Sequence, residues 1–232
     1  MARKPIQKLN VVNADDASAG VETTSFVDEL RRRIVNNELP PGSRLRESQL
    51  SSEFNVSRAR IRDAFGILEE RGLIERIPNK GAVVMRLEAD GILELFDVRE
   101  VTEGLVVRLA TQRATPDTWS GLLEVFGAEL EKKLADNDFA AYTKAIALFR
   151  RTCIDAAGND TLRDLLDSIF DRVQVMTRRL VLVPGRAMEG LRQHKEILRA
   201  MRDGEAERAE ELKRENIRSA RQWFLKYQDF LL

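Results

Sequence analysis

Ser57-Arg58-Ala59-Arg60-Ile61-Arg62-Asp63-Ala64-Phe65-Gly66-Ile67-Leu68-Glu69-Glu70-Arg71-Gly72 is the stretch from which the fold can be read. Ser57 is an N-capping residue type. Ile61, Ala64, Phe65 and Leu68 keep the i, i+3, i+4, i+7 spacing of one buried helix face. Gly72 stands where a C-terminal cap belongs. Arg58, Arg60 and Arg62 crowd the first turn and a half. The stretch is therefore a helix with an apolar back and a cationic N-terminal end, suited to entering a DNA groove while its back packs on a core.

The neighbouring segments support that reading. Upstream lies a short helix carrying Leu50 and Phe54, closed by an Asn55-Val56 turn. Before it comes a helix with Phe26, Leu30 and Ile34 on one face, capped by Ser25 and ended by Pro40-Pro41-Gly42. Downstream, two short extended segments flank the turn Pro78-Asn79-Lys80-Gly81. Helix, short helix, turn, helix and hairpin predict a winged helix-turn-helix over 25–87. Residues 1–24 are polar, small and without periodicity, and read as a flexible N-terminal arm.

From residue 88 to 232 only helical patterns occur. Breaks at Thr115-Pro116, Asp136-Asn137-Asp138, Gly158-Asn159, Pro184-Gly185 and Asp203-Gly204 predict an all-α bundle of about six helices. Leu162, Leu165, Leu166, Ile169, Val173, Met176 and Leu180 form its clearest stripe, a core face or a dimer seam. The fold class expected is mainly α: an N-terminal winged helix-turn-helix followed by a C-terminal helical bundle.

Composition limits the function. The 232 residues hold 38 Lys and Arg against 38 Asp and Glu, so the whole chain is no indiscriminate polyanion binder. Charge is segregated, however. Residues 25–87 hold twelve Lys and Arg against nine Asp and Glu, and residues 88–232 are acidic on balance. Cys153 is the only cysteine and His194 the only histidine. With no phosphate-cradling glycine loop and no metal-ligand spacing either, no enzyme and no catalytic residues are expected. No apolar run approaches the roughly 20 residues of a membrane span, and no secretory signal opens the chain, so no membrane partner and a cytoplasmic location are expected.

Pro41-Gly42-Ser43-Arg44-Leu45-Arg46-Glu47, Val56-Ser57-Arg58, Ile61-Arg62, Leu68-Glu69-Glu70-Arg71-Gly72-Leu73-Ile74 and Asn79-Lys80-Gly81 together closely resemble the GntR family of bacterial transcription regulators. The resemblance implies DNA contacts at Arg46, Arg58, Arg60, Arg62 and Gly81. Lys80 at the wing tip, Ser57 as cap or phosphate contact, and Ala59 complete the expected interface. Ala59-Arg60 replaces the Thr-Pro or Thr-Thr usual in the family, which bears on base preference.

The helical half resembles the FadR-type branch with its ligand-sensing (FCD-like) domain. The likeness rests on Phe96-Asp97-Val98-Arg99-Glu100 with Glu103, Phe149-Arg150, Ala157-Gly158-Asn159, Gln193-His194-Lys195-Glu196-Ile197-Leu198 and Asp203-Gly204-Glu205. Many members of that branch hold a metal with an Asp and three His. The matching positions here are Ile146, Arg150, His194 and Asn216, of which only His194 retains the family's ligand type. Ile cannot ligate, Arg repels a cation, and Asn is a weak ligand for metals that prefer imidazole. No metal and no other cofactor are therefore expected. Arg150 instead offers positive charge to a carboxylate effector, with Arg99, Ile146, His194 and Asn216 around it. The alternative is that Arg150 pairs with an internal Glu, such as Glu103, leaving the cavity empty or vestigial.

The resemblance implies a homodimer on a palindromic double-stranded operator, released by a small organic acid, in the manner of a repressor of a metabolic or catabolic operon. The rival is a ligand-independent DNA-binding dimer whose helical domain only dimerises.

Overall fold

Phe26, Leu30 and Ile34 point into one core from helix α1, which spans residues 26–35. The computed structural model describes residues 26–86 and 88–232. The arm expected over 1–24 and the cap expected at Ser25 lie outside the described residues. Helix α1 ends before Pro40-Pro41, where Asn37 takes a positive φ of 61°.

Strand β1 (Arg44–Leu45), helix α2 (Glu47–Phe54), helix α3 (Arg58–Glu70) and strands β2 (Ile74–Ile77) and β3 (Gly81–Val84) complete the first unit. The sheet runs β1-β3-β2, all antiparallel, with Arg44 opposite Val83 and Ile77 opposite Gly81. The expected hairpin thus gains a third strand. Two residues give no alternating run long enough to read as a strand.

Helix α3 ends as its sequence dictates. Gly72 takes φ +65° and donates its N–H to Glu69 O, while Leu73 donates to Leu68 O. These two bonds form a Schellman cap, and Leu68 and Leu73 meet in the core beneath it. A Cβ on Gly72 would also stand 2.9 Å from Arg172 Cδ of the helical half. Gly72→Ala is therefore expected to cost about 1–2 kcal/mol from the left-handed backbone alone. Urea denaturation of the variant measures it.

The second unit is built from α4 (Ala89–Arg113), α5 (Pro116–Val125), α6 (Ala128–Ala135), α7 (Phe139–Ala157), α8 (Asp160–Leu180), α9 (Arg186–Arg202) and α10 (Ala206–Leu231). These are seven helices among the described residues, against the six expected. The extra break falls at Phe126-Gly127, where no Pro or Asx marks it. Gly127 N–H bonds Glu124 O, and a Cβ at Gly127 would lie only 2.7 Å from that oxygen. Helix α4 packs on α10 and α7, and α5 on α9. Trp119, Phe126, Tyr142 and Phe149 anchor the main core, and Phe96 with Phe224 a second one. In the α8 stripe, Leu166, Ile169, Met176 and Leu180 are buried, but Leu165 is 43% exposed and does not belong to this chain's core.

Helix α8 also seats the first unit. Val175 packs against the core of the winged unit, and Arg172 fills the space beside Gly72.

Candidate DNA interface and effector cavity

The basic surface follows from three local devices. First, Ser57 holds an extended backbone (φ −66°, ψ 153°), and its hydroxyl accepts the Arg60 N–H at 3.3 Å, which fixes where α3 begins. Arg58 is therefore the first helical residue, exposed at a helix N-terminus, an end that favours a phosphate. Second, strand alternation in β1 buries Leu45 and turns Arg44 and Arg46 outward. Third, the loop 78–80 closes the wing by a Lys80 N–H to Ile77 O bond of 3.0 Å. Asn79 and Gly81 both take positive φ there. No atom of the described residues lies within 4 Å of where a Gly81 Cβ would stand, so the glycine serves backbone conformation at an open tip.

Arg46, Arg58, Lys80 and Gly81 line one shallow groove with Arg44. Ala59 and Arg62 lie exposed on α3, and Arg60 is half-buried. Arg44 was not among the expected contacts. The two-residue strand that turns it outward is too short to show a period in the sequence.

The residues expected to hold an effector also converge. Arg99, Ile146, Arg150, His194 and Asn216 all line one cavity of about 180 Å³ formed by α4, α7, α8, α9 and α10. The geometry redistributes the ion pairs expected there. Arg150 donates to Asp167 at 2.8 Å and lies 4.0 Å from the centroid of the Phe170 ring. Glu103 is taken instead by Arg99 at 2.7 Å and Lys213 at 2.9 Å. Burial alone would raise the Glu103 pKa, but the two cations outweigh it and hold the carboxyl far below the usual range. Asn216 donates to Gln193 and accepts from Lys213.

Two residues on this wall were missed, Arg186 and Lys213, each more than nine-tenths buried. Burial lowers the Arg186 pKa, and its Nε and Nη1 have no hydrogen-bond partner among the described residues. Neither residue had a readable signal. Lys213 sits in a Glu- and Arg-rich run that looks like a solvated helix face, and Arg186 follows a Pro-Gly turn.

His194 is stacked on Phe126 and edge-on to Phe149. Its Nδ1 lies 2.8 Å from Gly190 O, so the N–H is on Nδ1 and Nε2 is left an acceptor without a partner among the described residues. Burial first, then Lys213, pushes its pKa from 6.5 down to about 3. Between those values the unfolded chain takes up a proton that the folded chain refuses, so stability falls as pH falls. From pH 7 to pH 5 this amounts to about 2 kcal/mol. Glu103, with its lowered pKa, acts only below its ordinary 4.5 and lies outside that window. Urea midpoints at the two pH values should therefore differ in the native chain and converge in His194→Gln.

The metal-binding positions of the related branch do not fit a metal here. Ile146 has no donor atom, and Arg150 and Lys213 bring positive charge to the same cavity wall as His194. No group of three or more potential His, Cys, Asp or Glu ligands occurs among the described residues.

The cavity and the winged unit meet on one turn of α8. Asp171, 2% exposed, accepts from Arg31 Nε of α1 at 2.6 Å and from Arg71 Nη1 at the end of α3 at 3.2 Å. Its neighbour Phe170 lines the cavity, with the Arg31 guanidinium 5.8 Å and that of Arg150 4.0 Å from its ring centroid. Asp171 was not foreseen, because its two partners lie 140 and 100 residues away.

Among the described residues, no helix is long and apolar enough to cross a membrane.

Comparison with known proteins agrees with both halves. Residues 23–84 match the family "Bacterial regulatory proteins, gntR family", and residues 94–219 match the FCD domain. The HTH-type transcriptional repressor RspR of Escherichia coli K12 is 32% identical over 182 residues, covering 76% of this chain and 78% of RspR. YdhC of Bacillus subtilis strain 168, an uncharacterised HTH-type transcriptional regulator, is 29% identical over 210 residues, covering 86% of this chain and 84% of YdhC. Among solved structures, McbR/YncC of Escherichia coli superposes with a TM-score of 0.74 at 19% identity, covering 90% of this chain and 98% of that one, a likeness of fold alone. A winged helix-turn-helix with an FCD bundle behind it makes this chain a member of the GntR family, a DNA-binding transcriptional regulator.

Proposed function

We propose that the protein is a cytoplasmic, ligand-responsive repressor that binds a palindromic operator as a homodimer and is released by a small carboxylate. The DNA contacts are Arg44, Arg46, Ser57, Arg58, Ala59, Arg60, Arg62, Lys80 and Gly81. The effector contacts are Arg99, Ile146, Arg150, His194 and Asn216, joined by Arg186 and Lys213. No metal takes part, and the chain has no catalytic role. RspR, named as a transcriptional repressor, supports the direction of regulation.

One observation carries this reading. Among the described residues, six cationic side chains and a single carboxylate, Glu103, line a cavity in a helical domain whose α8 also grips the winged unit. A bundle serving only for dimerisation has no need of such a cavity. A ligand changes operator affinity to the extent that it binds one arrangement of the winged units better than the other. On this reading it acts through Phe170 and Asp171, altering the hold on Arg31 and Arg71.

The test is operator binding by the full chain, followed by fluorescence anisotropy with a library of organic acids. At least one acid should weaken operator binding tenfold or more, and Arg150→Ala with Lys213→Met should remove the response. Unchanged operator affinity with every acid would leave the ligand-independent dimer as the better account.

A further inference from the structure

The charge of the cavity says more about its ligand than the presence of a cavity does. Arg99, Arg186 and Lys213 are buried in its wall, and Glu103 is the only carboxylate lining it among the described residues. Glu103 is shared by Arg99 and Lys213 and can offset one of them. His194 is neutral because burial and Lys213 disfavour its proton. The buried wall therefore carries two positive charges in excess.

Arg186 is the least compensated group. It opens α9 after Gly185 and is 7% exposed, with Nε and Nη1 unpartnered among the described residues. The nearby carboxylate of Glu189 is engaged elsewhere, by Ser219 Oγ at 2.6 Å and Trp223 Nε1 at 2.9 Å. Arg99 faces Arg186 as a like charge. Buried cations without counter-ions are expensive, and a fold that keeps them generally has an anion to receive. Gly190 leaves the room for this arrangement. A Cβ there would collide with Tyr142 Oη and stand 2.9 Å from Arg186 Nη1. Ile146, Phe149, Leu166, Val173 and Met176 add apolar surface to the same wall.

We propose that the effector is a small dianion, with Arg186 as the subsite for its second negative charge. The inference rests on the effector reading above and deepens it. A dicarboxylate or a phosphate monoester meets the requirement, whereas a monocarboxylate leaves one buried cation without a counter-ion.

The test uses the full chain in a phosphate-free buffer and calorimetric titration. The probes are linear dicarboxylates of three to eight carbons, the monomethyl ester of each, and glycerol phosphate. At least one dianion should bind tenfold or more tightly than its matched monoanion. Arg186→Met should bring the two within about threefold of each other, and Arg186→Lys should restore part of the preference. Arg186→Met should also melt at a higher temperature than the native chain without ligand, since it removes an uncompensated charge. Glycerol phosphate outranking every dicarboxylate would identify a phosphate monoester as the source of the double charge. Monoanions binding as tightly as their dianions would overturn the dianion inference while leaving an acid effector in place. No binding by any probe, with no change in melting temperature for Arg186→Met, would overturn both.

Discussion

Arg46→Ala combined with Arg58→Ala is expected to weaken operator binding by about 100-fold or more. Each well-placed arginine contributes about 1–3 kcal/mol when it meets a base edge, and about 1.4 kcal/mol is a factor of ten. The two side chains share a groove with Arg44 and Lys80, so the double variant empties its centre. The positions should differ in kind. Arg58 opens α3, the helix proposed to enter the major groove, and Arg58→Ala should relax preference at one or two base pairs. Lys80 stands at the wing tip. Lys80→Ala should weaken all sequences alike and lower the salt slope by about 0.9 for each phosphate left without its cation. An operator obtained by selection from random duplexes, titrated at two salt concentrations, separates these outcomes. Arg163→Ala on α8, in an ion pair with Asp155 2.8 Å away, should change neither.

The second large effect concerns Asp171. Removing one partner of a buried ion pair is costly because the other is stranded, by about 3–5 kcal/mol where burial is complete. The partners here are unequal. Asp171 has a side-chain exposure of 2%, against 27% for Arg31 and 41% for Arg71. Asp171→Asn leaves two cations that can turn to water, and should cost only about 1–2 kcal/mol. Arg31→Met with Arg71→Met strands a buried carboxylate and should cost more, about 3 kcal/mol or above. In Asp171→Asn the effector should still bind the bundle with near-native affinity, while its effect on operator affinity falls severalfold. A variant that binds effector normally and still releases the operator normally would remove Asp171 from the coupling.

These two sites differ in how far the sequence announces them. The DNA-binding half is written in local rules: a serine cap at Ser57, a 3–4 spaced apolar face from Ile61 to Leu68, and a Schellman glycine at Gly72. Each involves residues within a few positions of one another, so the pattern survives without knowledge of the tertiary structure. Strand β1 escaped because two residues have no period, and the α5–α6 break because Gly127 stands without a companion turn residue. In the bundle, the positions taken from the family resemblance, Ile146, Arg150, His194 and Asn216, do face one cavity together with Arg99. Arg186, Lys213 and Asp171 are different. Charged residues on helices are usually solvated, and only the packing of distant helices makes these three buried. The partner of Arg150 was likewise out of reach, since Asp167 and Glu103 are equally plain acids in the sequence.

The central claim is that occupancy of the cavity controls the grip on DNA through α8. It is tested most directly by fluorescence anisotropy of a labelled operator, with and without a saturating anion that calorimetry has shown to bind. The operator Kd is expected to rise at least tenfold for the native chain and by less than about threefold for Asp171→Asn. An operator Kd that the bound anion leaves unchanged in the native chain would contradict it.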